Sequence, residues 1–316
     1  MIRSILLGAL LLNALPGLPC DQCGCSLLSG VQPYERTNNF GLQFRMRYLN
    51  GELLNGPSPG FAKHGSHAPA TTAASSKWTE LYYALEARGL FWLGGRTSLV
   101  AAVPLVNNYQ AVDGITHADI LAVGDPLVML RYELLNNAGC TDSTAVRHRL
   151  TAGVGAKVPL GRHDLTQFGE TLDHDLQPGT GTWDGLLSLE YQMRGQRWGL
   201  VAGGMGRFNG TTPEGHRFGH GGTGTLEVFR VLRIGTVRWF PSAGGYAEST
   251  AQDRTNGVAD PGTGGSVLFS HLGSRIWWRS FGLSVVWQHA VLRDKGAMMV
   301  PDRERFLAGV TYNLIR

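Results

Sequence analysis

Three of the chain's four cysteines, Cys20, Cys23 and Cys25, stand within six residues in the stretch PCDQCGCSLLSG. The fourth, Cys140, lies far downstream in NNAGCTDST. Thiolates two and three residues apart in an irregular segment can converge on one centre, so CxxCxC suits a soft metal such as Cu or Zn. The same residues suit one or two structural disulfides in an oxidising compartment. A redox pair of Cys20 and Cys23 is a third chemistry, although no thioredoxin-like context surrounds it. Disulfides are the favoured reading. No cofactor is expected apart from a possible Cu or Zn at this cluster.

Other residue types offer less. Seven of the ten histidines, His64, His67, His117, His163, His174, His216 and His220, fall in or beside segments read as long loops. KHGSH and DHD could gather a transition metal, but loops fix no ligand geometry, so solvated histidines are expected. Ser270 and His271 are neighbours. Adjacent strand residues point to opposite faces, so they form no Ser–His pair and an enzyme is not expected. GGTGTLE has no following Lys-Ser/Thr and no helix, which excludes a phosphate-binding loop.

MIRSILLGALLLNALPGLP has a basic Arg3 and an apolar run from Ile5 to Leu12, the layout of a secretory signal. Gly17 and Pro19 depart from a lipobox, so lipid attachment at Cys20 is not favoured. Residues 1–19 are read as a cleaved signal peptide, 20–37 as a periplasmic Cys-containing segment and 38–316 as one domain. Among 316 residues, 44 are glycine, 43% are hydrophobic and 16% charged, too apolar for disorder. Lys and Arg are scattered at a net charge of +4, so nucleic acid is not a favoured partner. No run beyond the signal reaches the roughly 18 apolar residues of a membrane helix.

Period-two alternation recurs instead. In NFGLQFRMRYLN, Phe40, Leu42, Phe44, Met46 and Tyr48 alternate with Gly41, Gln43, Arg45 and Arg47. A strand separates the two sets and a helix would mix them. TWDGLLSLEYQMR, AVRHRLTAGVGAKV and FLAGVTYNL repeat the pattern. About twelve such segments are read, near 39–50, 77–92, 96–108, 118–135, 145–159, 182–194, 197–209, 218–231, 233–247, 264–278, 281–292 and 304–314. The eighth to tenth are the least clearly patterned, and ten or fourteen strands are the neighbouring counts. Links after even-numbered segments are mostly tight; those after odd-numbered ones are longer and rich in Gly, Pro, Ser and His. This is an all-β class: a transmembrane antiparallel up-and-down β-barrel with short periplasmic turns and long external loops. Trp78 and Trp183 are assigned to one interfacial girdle, and Trp92, Trp198, Trp277 and Trp278 to the other. Pro104, Pro126 and Pro159 are assigned to bulges or strand ends.

In such a barrel the polar set faces the lumen. The lining is read as Arg45, Arg47, Glu80, Glu86, Arg88, Asp125, Arg131, Glu133, Arg147, Arg149, Lys157, Asp184, Glu190 and Arg194. Mixed signs on neighbouring strands predict cross-strand ion pairs filling a narrow barrel. The small Arg excess allows a selectivity lining for anions. Strand count puts Cys20, Cys23, Cys25 and Cys140 all on the periplasmic side.

VGDPLVMLRYELL (123–135), GVGAKVPLG (153–161) and LQPGTGTWD (176–184) follow in this order. They resemble the outer-membrane transporter family named after the meta-cleavage pathway of phenol degradation (the MetA-pathway family). There too a Gly-Asp strand, a K-x-P-x-G strand end and a G-T-G-x-x-D strand start succeed one another. The resemblance covers the middle third of the chain and does not include the cysteines. It implies an outer-membrane barrel passing small, often hydrophobic molecules.

The expectation is therefore an outer-membrane pore or facilitated transporter in a Gram-negative bacterium. Its expected partners are outer-membrane lipid, a small-molecule solute and the barrel assembly machinery. The alternatives are a barrel with a Cys-based metal site for metal handling or sensing, and a closed structural barrel.

Overall fold

The computed structural model describes residues 36–54, 75–137, 146–167 and 169–314. The signal-peptide reading, all four cysteines, His64 and His67 lie outside the described residues. Twelve strands build the wall: β1 (Asn38–Leu54), β2 (Ser75–Gly94), β3 (Thr97–Val112), β4 (Leu127–Asn136), β5 (Arg147–Lys157) and β6 (Asp184–Arg194); then β7 (Trp198–Phe208), β8 (Gly221–Arg230), β9 (Val237–Thr250), β10 (Gly265–Trp278), β11 (Phe281–Lys295) and β12 (Asp302–Leu314). Each pairs antiparallel with its sequence neighbours, and β1 also pairs with β12. The ring is closed, which removes the unpaired edges that an open sheet would expose.

The pattern of burial shows which solvent the wall is built for. Along β4, Leu127, Met129, Arg131 and Glu133 are buried, while Val128, Leu130, Tyr132 and Leu134 are exposed. A water-soluble antiparallel sheet does the reverse, packing apolar side chains inward and leaving charges in water. Here Arg131 is 7% exposed and Leu130 is 44% exposed. The outer surface continues this way through Leu42, Val154, Leu187, Leu189, Leu283 and Val310. An apolar outside and a polar inside is the arrangement that lipid requires.

The twelve strands lie within a few residues of their predicted places, with two differences. The predicted strand 118–135 is two pieces: Ile115–Val123 folds back on the loop half of β3, and β4 starts only at Leu127. Gly124–Asp125–Pro126 breaks the strand because Pro126 has no N–H for a ladder bond. Pro104 sits inside β3 where that strand changes partner, after Ala102 pairs β4 and before Leu105 pairs the 115–123 arm. Its missing donor falls in the gap. The predicted strand 233–247 is shifted, as Leu232–Ile234 forms a tight hairpin with the start of β9.

The girdle assignment needs correction. Trp183, Trp198 and Trp278 are exposed, but Trp78 and Trp277 are buried and point into the barrel. Both have inward parity, and Trp277 packs with Val201, Phe229, Val231 and Phe240. Most short connections lie at one end of the barrel and most long ones at the other; the exceptions are the link 137–146 at the turn end and the shorter link 296–301 at the loop end.

Candidate functional site

At the loop end of β4–β6, the three glycine-rich stretches meet at Lys157. Its Nζ lies 2.7 Å from Asp184 Oδ2 and 3.2 Å from Asp125 Oδ2, and donates to Thr180 Oγ1 at 2.8 Å. Asp125 accepts the Gly161 and Thr180 amides, both at 2.8 Å. Asp184 accepts the Thr182 hydroxyl at 2.8 Å and the Gly210 amide at 3.1 Å. All the side chains in this cluster are buried. One buried cation with two carboxylates is tolerable because each carboxylate has several donors. The glycines allow the chain to cross itself: a Cβ on Gly179 would stand 2.4 Å from the Gly161 carbonyl oxygen.

This cluster fixes the loop between β5 and β6, and the loop turns inward over the mouth. Its 3-10 turn, His174–Leu176, places Leu176 against Leu49, Leu53, Trp78, Tyr82, Ala118, Leu172 and Val300. Asn108 of β3 holds the turn from inside the wall, donating to the Leu176 carbonyl at 3.0 Å. Gln177 ties the loop to itself through the Leu165 amide and carbonyl and the Leu172 carbonyl. Burial of Leu172 and Leu176 against inward-facing wall residues seats the loop inside the mouth of the barrel.

Below the mouth, ion pairs occupy the interior. Arg131 contacts Glu190 at 3.1 Å, and Arg149 contacts the other Glu190 oxygen at 3.5 Å. Arg47 of β1 bridges Asp302 of β12 and Glu248 of β9, the latter at 3.2 Å. Strands β10–β12 separate β1 from β9 on the wall, so this bridge spans a chord of the lumen. Arg305 also binds Glu248 and lies over the rings of Tyr246 and Phe269. Arg275 grips Glu227, and Lys295 meets Asp302 at 2.7 Å. Apolar patches lie between these groups, one of them Leu90, Val100, Ala102, Leu127, Met129, Leu186 and Met205.

The structure places the residues read as lumen lining as follows. Arg47, Glu80, Glu86, Asp125, Arg131, Glu133, Lys157, Asp184 and Glu190 are buried on the inner face. Arg45, Arg88, Arg149 and Arg194 are half-buried, with Arg88 bound to Glu86 at 2.9 Å and Arg194 over the Phe240 ring. Arg147 is exposed at the turn end of β5. Sequence reading missed Arg207, Glu227, Glu248, His271, Gln288, Asp302 and Arg305, all buried inside. Their signal was present as polar positions alternating with apolar ones in β7–β12, where glycines and serines blur the pattern.

The long loops also cohere. His174 and His216 stack at 3.7 Å between ring centroids, with Phe218 edge-on. His216–Arg217, Arg254–Thr255 and Val258–Ala259 form a small sheet of their own. The Asn209 amide donates to His220 Nδ1 at 3.1 Å. Burial and the nearby Arg217, Arg207 and Arg254 guanidinium groups push His220 below its ordinary value. The Glu214 carboxyl is also held below its ordinary value, by hydrogen bonds from its own amide and Thr212. Among the described residues no group of three or more His, Cys, Asp or Glu side chains is placed to hold a metal ion.

No protein-family model matches the chain, and no curated protein sequence matches it. A solved outer-membrane channel from Pseudomonas putida F1 superposes with a TM-score of 0.61 at 13% identity, over 90% of this chain and 100% of that one. The translocator domain of the autotransporter NalP from Neisseria meningitidis gives 0.41 at 10% identity, over 91% and 92%. A FadL homologue from Pseudomonas aeruginosa gives 0.37 at 10% identity, over 88% and 91%. The likeness to the first is one of fold, and the fold is a closed antiparallel barrel of the outer-membrane type.

Proposed function

We propose that this chain is a pore or facilitated transporter for small solutes in the outer membrane of a Gram-negative bacterium, with the β5–β6 loop as its constriction. The observation that carries the reading is the inverted wall, with lipid-suited side chains outside and paired charges inside. The likeness to an outer-membrane channel supports it. Its arginines are largely bonded to carboxylates. That favours solutes with an apolar body, received by the patches between the ion pairs, over free inorganic anions.

Several expectations belong to this reading. The chain is exported through a cleaved signal peptide and folded by the barrel assembly machinery, with its turn end in the periplasm. The N-terminal cysteines are tied by disulfides, among themselves or to Cys140. Arg36, which leads into β1, reaches Glu133 of β4 at 2.9 Å, four residues before Asn137 and the link carrying Cys140. That route supports a tie beneath the lumen.

The test is solute entry into liposomes carrying the purified, folded chain. Small aromatic acids and alcohols are expected to enter faster than sugars of similar mass. Equal rates in loaded and empty liposomes would leave a closed structural barrel.

A further inference from the structure

On the outer face, three polar side chains lie in one row across β10, β11 and β12. Ser270 stands opposite His289, and His289 opposite Glu304. Two-residue parity puts them on the side of the exposed Leu268, Leu272 and Trp287. His289 Nδ1 is 2.6 Å from Glu304 Oε1, and Trp287 Nε1 donates to Oε2 of the same carboxylate at 2.8 Å. The His289 and Glu304 side chains keep 46% and 34% of their surface open.

This arrangement has the parts of a nucleophile-activating site. A carboxylate on Nδ1 fixes the imidazole tautomer and orientation and leaves Nε2 as the base. Trp287 in turn fixes the carboxylate. The Ser270 hydroxyl now donates to the His289 carbonyl at 3.4 Å. Side chains directly opposite in a ladder have Cβ atoms about 5 Å apart, so a χ1 rotation of Ser270 brings Oγ toward the ring, as loose apo geometry allows. One rung further out, the ladder shifts register between Leu268 and Phe269, leaving Val291 as the extra residue of a bulge. A bulge frees a backbone amide from the ladder and re-aims its neighbours. The Val291 amide is the candidate donor for an oxyanion.

The position of the row selects the substrate. From the turn end, the outward side chains of β11 run Phe281, Leu283, Val285 and Trp287, and all are exposed. The row begins beside Trp287, on the loop side of these four outward apolar positions, where an apolar band about 25 Å tall gives way to the interface. Ester linkages of membrane lipids lie at that depth. A carboxylate and an imidazole facing lipid are costly unless they serve a purpose.

We propose that Ser270, His289 and Glu304 form a serine-esterase site facing the bilayer interface, acting on the acyl ester of a membrane lipid. Ser270 Oγ attacks the acyl carbon and its proton passes to His289 Nε2. The ester C–O bond breaks as His289 gives that proton to the departing alcohol. Water then loses a proton to His289, attacks the acyl-serine and releases a fatty acid, restoring Ser270. Glu304 takes no part in the proton transfers and is a positioning residue.

The test uses the full-length chain folded in mixed micelles of phosphatidylethanolamine and detergent, with heat-modifiable migration as the check on folding. The expected result is fatty-acid release, and a fluorophosphonate adduct that peptide mass analysis places on Ser270. Ser270→Ala should lower release by about 10⁴-fold, and Glu304→Gln should move the pH–rate profile as well as lower the rate. Absence of the adduct on folded wild-type chain, or release unchanged in Ser270→Ala, overturns the proposal. Neither result bears on solute passage through the lumen.

Discussion

Lys157 and Asp184 face each other on one rung of the β5–β6 ladder, and their charged atoms are 2.7 Å apart. The rung also carries Asp125, through the same ammonium. Removing the cation takes from Asp125 and Asp184 the ammonium that binds both and leaves only the buried Arg207 guanidinium near Asp184, a loss of about 3 kcal/mol, the low end for a broken buried pair. Lys157→Met should therefore lower stability by that order in denaturant titration of the folded chain. It should also loosen the β5–β6 loop, read as faster proteolysis between residues 158 and 183.

Glycine substitutions separate a close crossing from open space. A Cβ on Gly179 would stand 2.4 Å from a backbone oxygen that cannot yield, whereas one on Gly185 would meet only Phe208 Cβ at 3.9 Å. Gly179→Ala is expected to cost about 1–3 kcal/mol or displace the loop, and Gly185→Ala to be close to neutral. Thermal unfolding of the two variants in the same detergent checks the contrast.

Lipid-facing positions should reject charge. Leu189 lies midway along β6 and is 52% exposed. Leu189→Arg should destabilise the barrel by about 2–4 kcal/mol, measured by reversible unfolding from phospholipid vesicles. In plain detergent micelles, which deform more readily, the loss should be smaller.

The loop canopy should respond to acid through His220. Its neutral ring accepts the Asn209 amide, and its protonation is disfavoured by burial and nearby arginines. With the folded value below the ordinary 6.5, the unfolded segment binds the extra proton first. Stability from this residue is complete above 6.5 and is lost as the pH falls through and below it. Amide exchange at Asn209, corrected for its intrinsic rate, should accelerate in that range, and His220→Asn should remove the dependence.

The inverted alternation of β1, β4, β5 and β6 was legible because an arginine or glutamate every second residue leaves no other period. Lys157, Asp125 and Asp184 were each readable as inward-facing, but not their meeting. That depends on Gly179 crossing Gly161, a tertiary contact with no local signature. Trp78 and Trp277 were misplaced because aromatic residues near strand ends were assigned by height alone, and parity turns both inward. Ser270 was tested against its neighbour in sequence, His271, which does face the other way and is 6% exposed. Its neighbour across the ladder is His289, visible only once register is known.

The proposed pore is narrowest where Leu176 packs against Leu49, Leu53 and Trp78 at the mouth. Single-channel conductance in planar bilayers, comparing the wild-type chain with Leu176→Asp, tests it most directly. Placing a carboxylate among Trp78, Leu49 and Val300 should drive the turn out of the wall. Small steady steps are expected for wild type and larger ones for the variant. Silence from both chains, each shown to be folded, would contradict it, as would identical steps from the two.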